Sequence, residues 1–189
     1  DWMNYYRDLC IIYLNETNTG QIGGNNLNVE IDESKIFKNK NNIGRLSRGQ
    51  EECEWVFGGI CRETKDTFFV IVQNRTEQTL LRCIQKNIEL GTKIISDCWR
   101  SYRNLSEYGY EHETINHSQN FLSPEDATIH TQTIERYWRG LKQNIPLGSP
   151  YDSRDSYLYV YSFKKRTNWY NISIGERFNL LLLLISQYY

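Results

Sequence analysis

Proline, methionine and histidine are scarce in this sequence, which has three, one and three of them among 189 residues. The longest apolar run lies at residues 180–185, whereas a membrane-spanning helix needs about 20 apolar residues. The start of the sequence has no signal-peptide pattern. Few prolines together with 14 tyrosines and five tryptophans are typical of a folded chain rather than a disordered one. We therefore expect a soluble, folded protein with no membrane partner.

Paired cysteines are also lacking. The five cysteines are odd in number, and none of them forms a C-x-x-C pair. This spacing argues against structural disulfides and against a zinc ribbon. Reduced thiols are typical of the cytosol and the nucleus, so we expect a nuclear protein if the host is eukaryotic and a cytoplasmic one otherwise.

Positive and negative charges are nearly balanced. The sequence has 22 Lys and Arg and 23 Asp and Glu, for a formal net charge of −1. Binding of nucleic acid by bulk charge is therefore excluded, and any polyanion must be met by a local patch. The candidate patch is a polar segment at residues 35–50, which we expect to be a loop. Its basic residues could form a solvated surface, or they could bind DNA phosphates beside a metal site. They are Lys35, Lys38, Lys40, Arg45 and Arg48.

Apolar periodicity predicts an α/β domain. Alternating residues predict strands at residues 27–32, 55–61, 67–72, 92–96 and 112–115. Three- and four-residue spacings predict helices at residues 2–14, 76–91, 99–109 and 131–143, with two more helical segments after residue 146. The order βββαβαβα matches a ribonuclease H-like mixed sheet with flanking helices. We expect a helical lead-in at residues 1–26, the core at residues 27–145 and a helical extension of the same domain at residues 146–189.

Two aspartates are predicted to end strands of this sheet. If the strands are neighbours, the carboxylates of Asp32 and Asp97 would project into one site. Their repulsion would be relieved by Mg²⁺ or Mn²⁺, hard ions that prefer oxygen ligands. Glu135 on the long helix would complete a site for two ions, which can activate a nucleophile at a phosphodiester. The alternative is that each aspartate is only a turn or cap residue.

The helix that carries Glu135 offers further candidates. Gln132 lies one turn earlier, and it could bind the metal itself or orient the Glu135 carboxylate. Arg139 and Lys142 lie one and two turns after Glu135 and could hold the DNA backbone. Alternatively, Glu135 and Arg139 form only a helical ion pair at i, i+4 spacing.

Four residues outside these groups are less specific candidates. Asn116 and His117 could orient a phosphate or a metal ligand, or His117 could cap a loop. Trp99 and Trp138 could stack on unpaired bases, although core packing is the more frequent use of tryptophan.

Five segments in order along the chain carry a resemblance to a known family: VEIDESK, RGQ…WVFGGI, TKIISDCWRSY, YGYEHETINHSQNF and HTQTIERYWRGLK. Together they resemble the catalytic domain of Merlin-superfamily DDE transposases and their bacterial insertion-sequence relatives, over nearly the whole chain. The resemblance implies that Asp32, Asp97 and Glu135 are the three catalytic, metal-binding acids. The chain departs from the family by an insertion at residues 51–54 and by Gln132, where relatives have asparagine.

The same resemblance implies metal-dependent cleavage of DNA ends followed by strand transfer. It implies double-stranded DNA as partner and a homodimer in the DNA complex. Because the family's N-terminal DNA-binding region is not in the sequence, we expect the chain to be the core of a longer protein. Two alternatives remain at this point, a non-catalytic DNA-binding protein and a structure-specific nuclease on the same fold.

Overall fold

The computed structural model describes residues 1–17, 20–38, 53–115, 131–146 and 153–188 of the chain. The helices are α1 (Trp2–Thr17), α2 (Glu77–Asn87), α3 (Gln132–Asn144), α4 (Arg154–Arg166) and α5 (Ile174–Tyr188). The strands are β1 (Asn28–Lys38), β2 (Cys53–Cys61), β3 (Thr67–Val72), β4 (Lys93–Asp97) and β5 (Glu111–Ile115). The predicted order of strands is confirmed, and so is that of the helices apart from the one expected between β4 and β5.

The five strands form one mixed sheet in the order β3-β2-β1-β4-β5. Strands β1, β2 and β3 pair in antiparallel fashion, whereas β4 pairs with β1, and β5 with β4, in parallel. A parallel pair needs a crossover connection, and α2 supplies it between β3 and β4. With helices on both faces, this is the ribonuclease H-like fold that the element order predicts.

Strand β1 is longer than its sequence pattern indicates. The predicted end near Asp32 is wrong, because β1 continues to Lys38 and pairs with β2 from Val29↔Cys61 to Lys38↔Cys53. The loop predicted from residue 35 is therefore strand as far as residue 38. The register shifts between Lys35 and Phe37, so a β-bulge interrupts the simple alternation on which the prediction rests.

Alternation along β1 sends its side chains to two different cores. Val29 and Ile31 are fully buried and pack in the core that α2 covers with Leu80 and Ile84. Residues of the other parity point to the opposite face, where Ile36 joins a second core. This second core contains residues of β2, α3 and α4, namely Val56, Ile60, Ile134, Trp138 and Leu158.

An outer layer of helices completes the described part of the chain. Helices α1, α4 and α5 meet in a third core formed by Leu9, Cys10, Leu14, Phe163 and Leu184. The division at residues 26 and 145 stays a prediction. The four cysteines that the structure describes with side chains, Cys10, Cys61, Cys83 and Cys98, are free thiols. Within the described ranges, every helix is too short or too polar to cross a membrane.

The connection from β4 to β5 differs from its prediction. Two 3₁₀ turns, Arg100–Tyr102 and Leu105–Tyr108, replace the single short helix expected there. Gly109 ends the second turn with φ +87°, a left-handed conformation that glycine adopts without a steric penalty. Tyr102 and Leu105 are buried under the sheet, so the turns are held by packing.

Candidate active site

The sheet register brings the two predicted aspartates onto one face of neighbouring strands. Glu30 of β1 pairs with Ile95 of β4. Because side chains alternate along a strand, Asp32 and Asp97 lie two residues further along each strand and share the face of that pair. Asp97 is the last residue of β4, whereas Asp32 lies inside β1. The prediction that both aspartates lie on one face of adjacent strands is confirmed.

The third predicted acid is carried by α3, whose first turn is attached to β1. Thr131 makes no side-chain capping bond at the start of the helix, so the free N–H groups there need another acceptor. Glu30 supplies it, because its Oε2 accepts a hydrogen bond of 2.9 Å from the Ile134 backbone N–H. Glu135 is the next residue along α3, and this bond therefore brings the Glu135 helix turn to the Asp32 face of β1.

Glu30 supports the candidate site structurally, and the sequence analysis did not single it out. Its side chain is fully buried, and its Oε1 lies 2.6 Å from Arg62 Nε. A buried carboxylate is stable only when it is paired and hydrogen-bonded. Glu30 thus ties β1, the β2–β3 turn and α3 together directly behind the candidate site.

The electrostatic surroundings of Asp32 reflect all three carboxylates. Burial raises the pKa of Asp32 to about 6, and the charges of Asp97 and Glu135 act in the same direction. Hydrogen bonds oppose this shift, including one of 2.9 Å from Trp138 Nε1 to Asp32 Oδ2. Like charges raise a carboxylate pKa only when they lie nearby. The charges of Asp97 and Glu135 thus both disfavour ionisation of Asp32.

Trp138 reaches Asp32 because the opposite strand leaves room for its ring. Asp32 pairs with Gly58 of β2. A Cβ atom at Gly58 would lie 2.6 Å from Phe69 Cδ1 and 2.7 Å from Trp138 Cη2, so only glycine permits this close approach. Trp138 is buried in the second core, with its ring centroid 5.2 Å from that of Phe69. The core packing predicted for this tryptophan is found, and its N–H additionally orients the Asp32 carboxylate.

The oxygen atoms of this group suit a hard divalent cation. Asp32 Oδ2 accepts from Trp138, and Asp97 Oδ1 accepts from the Trp99 backbone N–H at 3.0 Å. These hydrogen bonds orient the two carboxylates, and carboxylate oxygens are the donors that Mg²⁺ and Mn²⁺ prefer. Across the residues that the structure describes, no three His, Cys, Asp or Glu side chains are close enough together to form a ready-made metal cluster.

The opposite face of β1 carries a second polar group. Tyr102 donates a hydrogen bond to Glu33 Oε1, and Arg75 Nη1 lies 3.8 Å from Glu33 Oε2. Burial raises the pKa of Glu33 to about 7 against the effect of the Tyr102 hydrogen bond. The guanidinium of Arg75 lies 3.9 Å from the ring centroid of Trp55 and 4.4 Å from that of Trp99. Trp99 therefore packs against an arginine in this structure.

The predicted DNA-binding residues are only partly within the described chain. Lys35 is exposed on β1, with Nζ 5.0 Å from the Trp55 ring centroid, and Lys38 is the last residue of that strand. Arg139 and Lys142 are exposed on α3, as are Gln132 and Glu135. Lys40, Arg45, Arg48, Asn116 and His117 lie outside the described residues.

Fold and carboxylates together define the class of protein. A ribonuclease H-like sheet that gathers Asp32 and Asp97 on one face, next to a helix that carries Glu135, has the organisation of a DDE transposase domain. The chain belongs to the family of ISXO2-like transposase domains, whose family model matches residues 21–161. Comparison with curated proteins gives no match.

Several solved retroviral structures are similar to this chain. The intasome of simian T-cell lymphotropic virus has 16% sequence identity over 76% of this chain and 49% of that chain, with a TM-score of 0.42. This chain thus spans about half the length of the intasome protein that it matches. The HTLV-2 integrase catalytic core domain in complex with magnesium has 13% identity over 74% and 84% of the two chains, with a TM-score of 0.39. The BIV integrase core has 14% identity over 72% and 80%, with a TM-score of 0.43.

Proposed function

We propose that this domain cleaves DNA at a transposon end and joins the freed end to target DNA, with Asp32, Asp97 and Glu135 as the catalytic carboxylates. One observation carries the proposal. The β1–β4 register places Asp32 and Asp97 on one face of neighbouring strands, and the hydrogen bond from the Ile134 N–H to Glu30 attaches the helix of Glu135 to the same face. Three carboxylates that oppose one another's ionisation favour a bound cation, and a cation is what phosphodiester chemistry on such a site requires.

The three carboxylates would hold two Mg²⁺ or Mn²⁺ ions. When bound, these ions supply Lewis acidity and stabilise negative charge on the attacking and leaving oxygens. The chain's own residues orient the donors. Trp138 holds one oxygen of Asp32 and the Trp99 backbone N–H holds one oxygen of Asp97, so each carboxylate presents its other oxygen in a defined direction.

The reaction balances without an external energy source. In the first step, water attacks the phosphorus at the transposon end, the P–O3′ bond breaks, and the transposon strand leaves with a free 3′-hydroxyl. In the second step, this hydroxyl attacks a target phosphodiester, one P–O bond forms and another breaks, and a target 3′-hydroxyl is released. The substrate is therefore double-stranded DNA at both stages.

Four finer assignments belong to the same proposal. The segments quoted above support membership of the Merlin superfamily within the transposases. A homodimer would act on the two transposon ends, and the site of action would be the nucleus in a eukaryotic host or the cytoplasm otherwise. DNA phosphates would be met by Arg139 and Lys142 on α3 and by the basic segment at residues 35–48.

The test uses the full-length protein with a labelled transposon-end duplex and a supercoiled plasmid, in Mg²⁺ or Mn²⁺. We expect strand cleavage and joined products from the wild type, and loss of both from Asp32→Asn and Asp97→Asn. Glu111→Gln is the matched control, because it removes one exposed carboxylate from the edge strand β5, and it should keep full activity. Cleavage without joining would indicate a structure-specific nuclease. DNA binding without cleavage would indicate a non-catalytic binding protein.

The third carboxylate has its own test, because Gln132 lies one turn before Glu135 on α3. A carboxylate binds a hard divalent ion more strongly than an amide does, and Glu135 contributes to the charge around Asp32. We expect Glu135→Gln to abolish cleavage across a Mn²⁺ titration and Gln132→Ala to retain it. The reverse result would transfer the role of third ligand to Gln132.

A further inference from the structure

An open cleft of about 640 Å³ lies beside Asp97, on the side of the sheet that carries Glu33. Its wall includes Arg75, Arg100 and Arg103, together with Trp99 and Asn104. The volume is within the range of about 300–1,000 Å³ that is typical of ligand sites. None of these residues belongs to the predicted phosphate-binding segment at residues 35–48.

Arg75 is held in place before any ligand arrives. Its guanidinium lies between the rings of Trp55 and Trp99. Its backbone carbonyl accepts hydrogen bonds from Ser101 Oγ at 2.8 Å and from Trp99 Nε1 at 3.4 Å. A rigid arginine loses little side-chain entropy on binding, and its planar fork of donors matches the oxygens of a phosphate.

The cleft has more positive than negative charge. Arg100 and Arg103 are exposed, and in the described part of the chain no carboxylate forms an ion pair with either of them. One acid, Glu77, lies on the wall, and its Oε1 accepts a hydrogen bond from Asn104 Nδ2 at 2.8 Å. Arg75 is already paired with Glu33, so Arg100 and Arg103 supply the excess of positive charge over Glu77, and the cleft is suited to an anion.

The cleft and the candidate catalytic carboxylates lie on opposite faces of the sheet and are linked at the end of β4. Trp99 forms part of the cleft wall, and the Trp99 backbone N–H donates to Asp97 Oδ1 at 3.0 Å. The turn that carries Arg100 begins three residues after Asp97 in the chain. A DNA strand bound at Asp97 would meet the cleft by passing the end of β4.

We propose that the cleft of Arg75, Arg100 and Arg103 binds the phosphodiester backbone of the DNA strand that runs past Asp97. The inference rests on the proposed function, because it assigns part of the substrate to this surface. Arginine forks bind phosphate oxygens in pairs, and the contact is to the backbone, so it reads no base sequence.

The experiment measures the salt dependence of binding to a fluorescein-labelled DNA duplex of arbitrary sequence, in EDTA so that no cleavage occurs. The test variant is Arg100→Gln/Arg103→Gln. The matched control is Arg82→Gln/Lys86→Gln, which removes the same charge from exposed positions of α2 outside the cleft. Each lost phosphate contact lowers the slope of log K against log salt by about 0.9. We therefore expect the slope to fall by about 1.8 in the test variant and to stay near the wild-type value in the control.

Three further variants separate the loss of charge from other effects of the substitutions. Arg100→Lys/Arg103→Lys retains the charge and should retain the slope. The single substitutions Arg100→Gln and Arg103→Gln should each lower the slope by about 0.9, and they replace the double variant if thermal melting finds it unfolded. An unchanged slope in the glutamine variants, or an equal fall in the control, would overturn the inference. So would an unchanged DNA slope accompanied by weaker binding of polyglutamate, which would assign the cleft to an acidic protein.

The outcome is separable from that of the proposed function. Normal cleavage by the wild type, with an unchanged slope in Arg100→Gln/Arg103→Gln, would remove only the cleft assignment. Absence of cleavage by the wild type would remove the proposed function, whereas the binding slope would still report whether the cleft contacts DNA.

Discussion

Some surroundings of Asp32 favour its ionised carboxylate, and others disfavour it. Its carboxylate accepts a hydrogen bond from Trp138 and is paired through the backbone with Gly58. Burial nevertheless raises its pKa to about 6, and the charges of Asp97 and Glu135 add to that effect. The folded chain therefore holds an ionised Asp32 less favourably than the unfolded chain does. This is the pattern of a site that is arranged for a charged ligand at a cost in stability.

The first prediction concerns the pH dependence of stability in EDTA. Because the folded chain has the raised pKa, it binds the Asp32 proton more tightly than the unfolded chain, whose value is near the ordinary 3.8. The stability is therefore highest below pH 4 with respect to this group, and it falls as the pH rises through 6. Asp32→Asn should remove this loss and raise the free energy of unfolding at pH 7.5 by about 2 kcal/mol.

Urea unfolding from pH 4 to pH 8 checks this expectation. The advantage of Asp32→Asn over the wild type should grow as the pH rises through 6 and level off above it, while Glu111→Gln, which removes an exposed carboxylate on β5, should follow the wild type. A constant difference between Asp32→Asn and the wild type would mean that ionisation of Asp32 does not destabilise the fold.

Gly58 gives a second prediction for a single residue. A methyl group there would lie 2.6 Å from Phe69 and 2.7 Å from Trp138, so Gly58→Ala should lower the free energy of unfolding by about 1–3 kcal/mol. It should also reduce cleavage, because Trp138 would be displaced from Asp32. Gly175→Ala is the control, since its added methyl group meets only Ser173 Oγ at 4.0 Å. That change lies in α5, where alanine favours the helix over glycine by up to about 1 kcal/mol. Equal stability of the two variants would contradict this view of the Gly58 contact.

Three elements meet at Glu30. The residue lies on β1, its partner Arg62 follows β2, and the N–H that it accepts belongs to Ile134 of α3. Such a buried ion pair adds little net stability compared with apolar packing, but breaking it by removing one partner is costly. The arrangement fixes the position of α3 on the sheet, and with it the position of Glu135.

The third prediction is a double-mutant cycle on this contact. Arg62→Met leaves the Glu30 carboxylate buried without its cation and should cost about 3 kcal/mol in urea unfolding. Glu30→Gln in the same chain removes the buried charge, so Glu30→Gln/Arg62→Met should be more stable than Arg62→Met alone. Arg82→Met on the exposed side of α2 is the control and should change stability by less than about 0.5 kcal/mol. Additive effects of the two substitutions would mean that the pair is not coupled.

Local patterns in the sequence predicted the strands and helices well, and contacts between distant residues poorly. Runs rich in β-forming residues located β2 to β5 within two residues of their observed starts. The end of β1 was wrong because the charged residues after Asp32 resemble a loop, while pairing with β2 keeps them extended. The Glu30–Ile134 hydrogen bond joins residues 104 positions apart, and no local pattern reports such a pairing.

The candidate site, too, could be predicted from the sequence only in part. Asp32, Asp97 and Glu135 could be proposed because the sequence motifs that carry them resemble those of a transposase family. The role of Trp138 could not be predicted, because its hydrogen bond to Asp32 depends on the space above Gly58. Arg75 was missed because its partners come from β1, β2 and the turn after β4. A signal was present after Trp99, because Arg100 and Arg103 follow it within four residues.

In the whole molecule, one sheet supports two polar surfaces. Asp32 points to the α3 side of β1 and Glu33 to the opposite side, where Tyr102 and Arg75 surround it. The two polar surfaces are linked at the end of β4, where the Trp99 backbone N–H donates a hydrogen bond to Asp97. The central strands thus hold the carboxylates rigidly. The outer helices α1 and α5 pack on α4 in a separate core.

The last prediction follows from this separation. Of the residues in α5, Leu184 is the buried one, while Phe178 and Leu183 are each 61% exposed. Weakly buried segments open locally at lower free energy than a core sheet, so amides of α5 should exchange hydrogen faster than those of β1 and β2. Leu184→Ala should weaken the outer core by about 2–5 kcal/mol and speed exchange in α1 and α5 alone. Leu182→Ala, at a half-exposed position of the same helix, should change little. Peptide-level hydrogen exchange checks both variants, and equal acceleration in β1 by Leu184→Ala would mean that the sheet and the outer helices unfold as one unit.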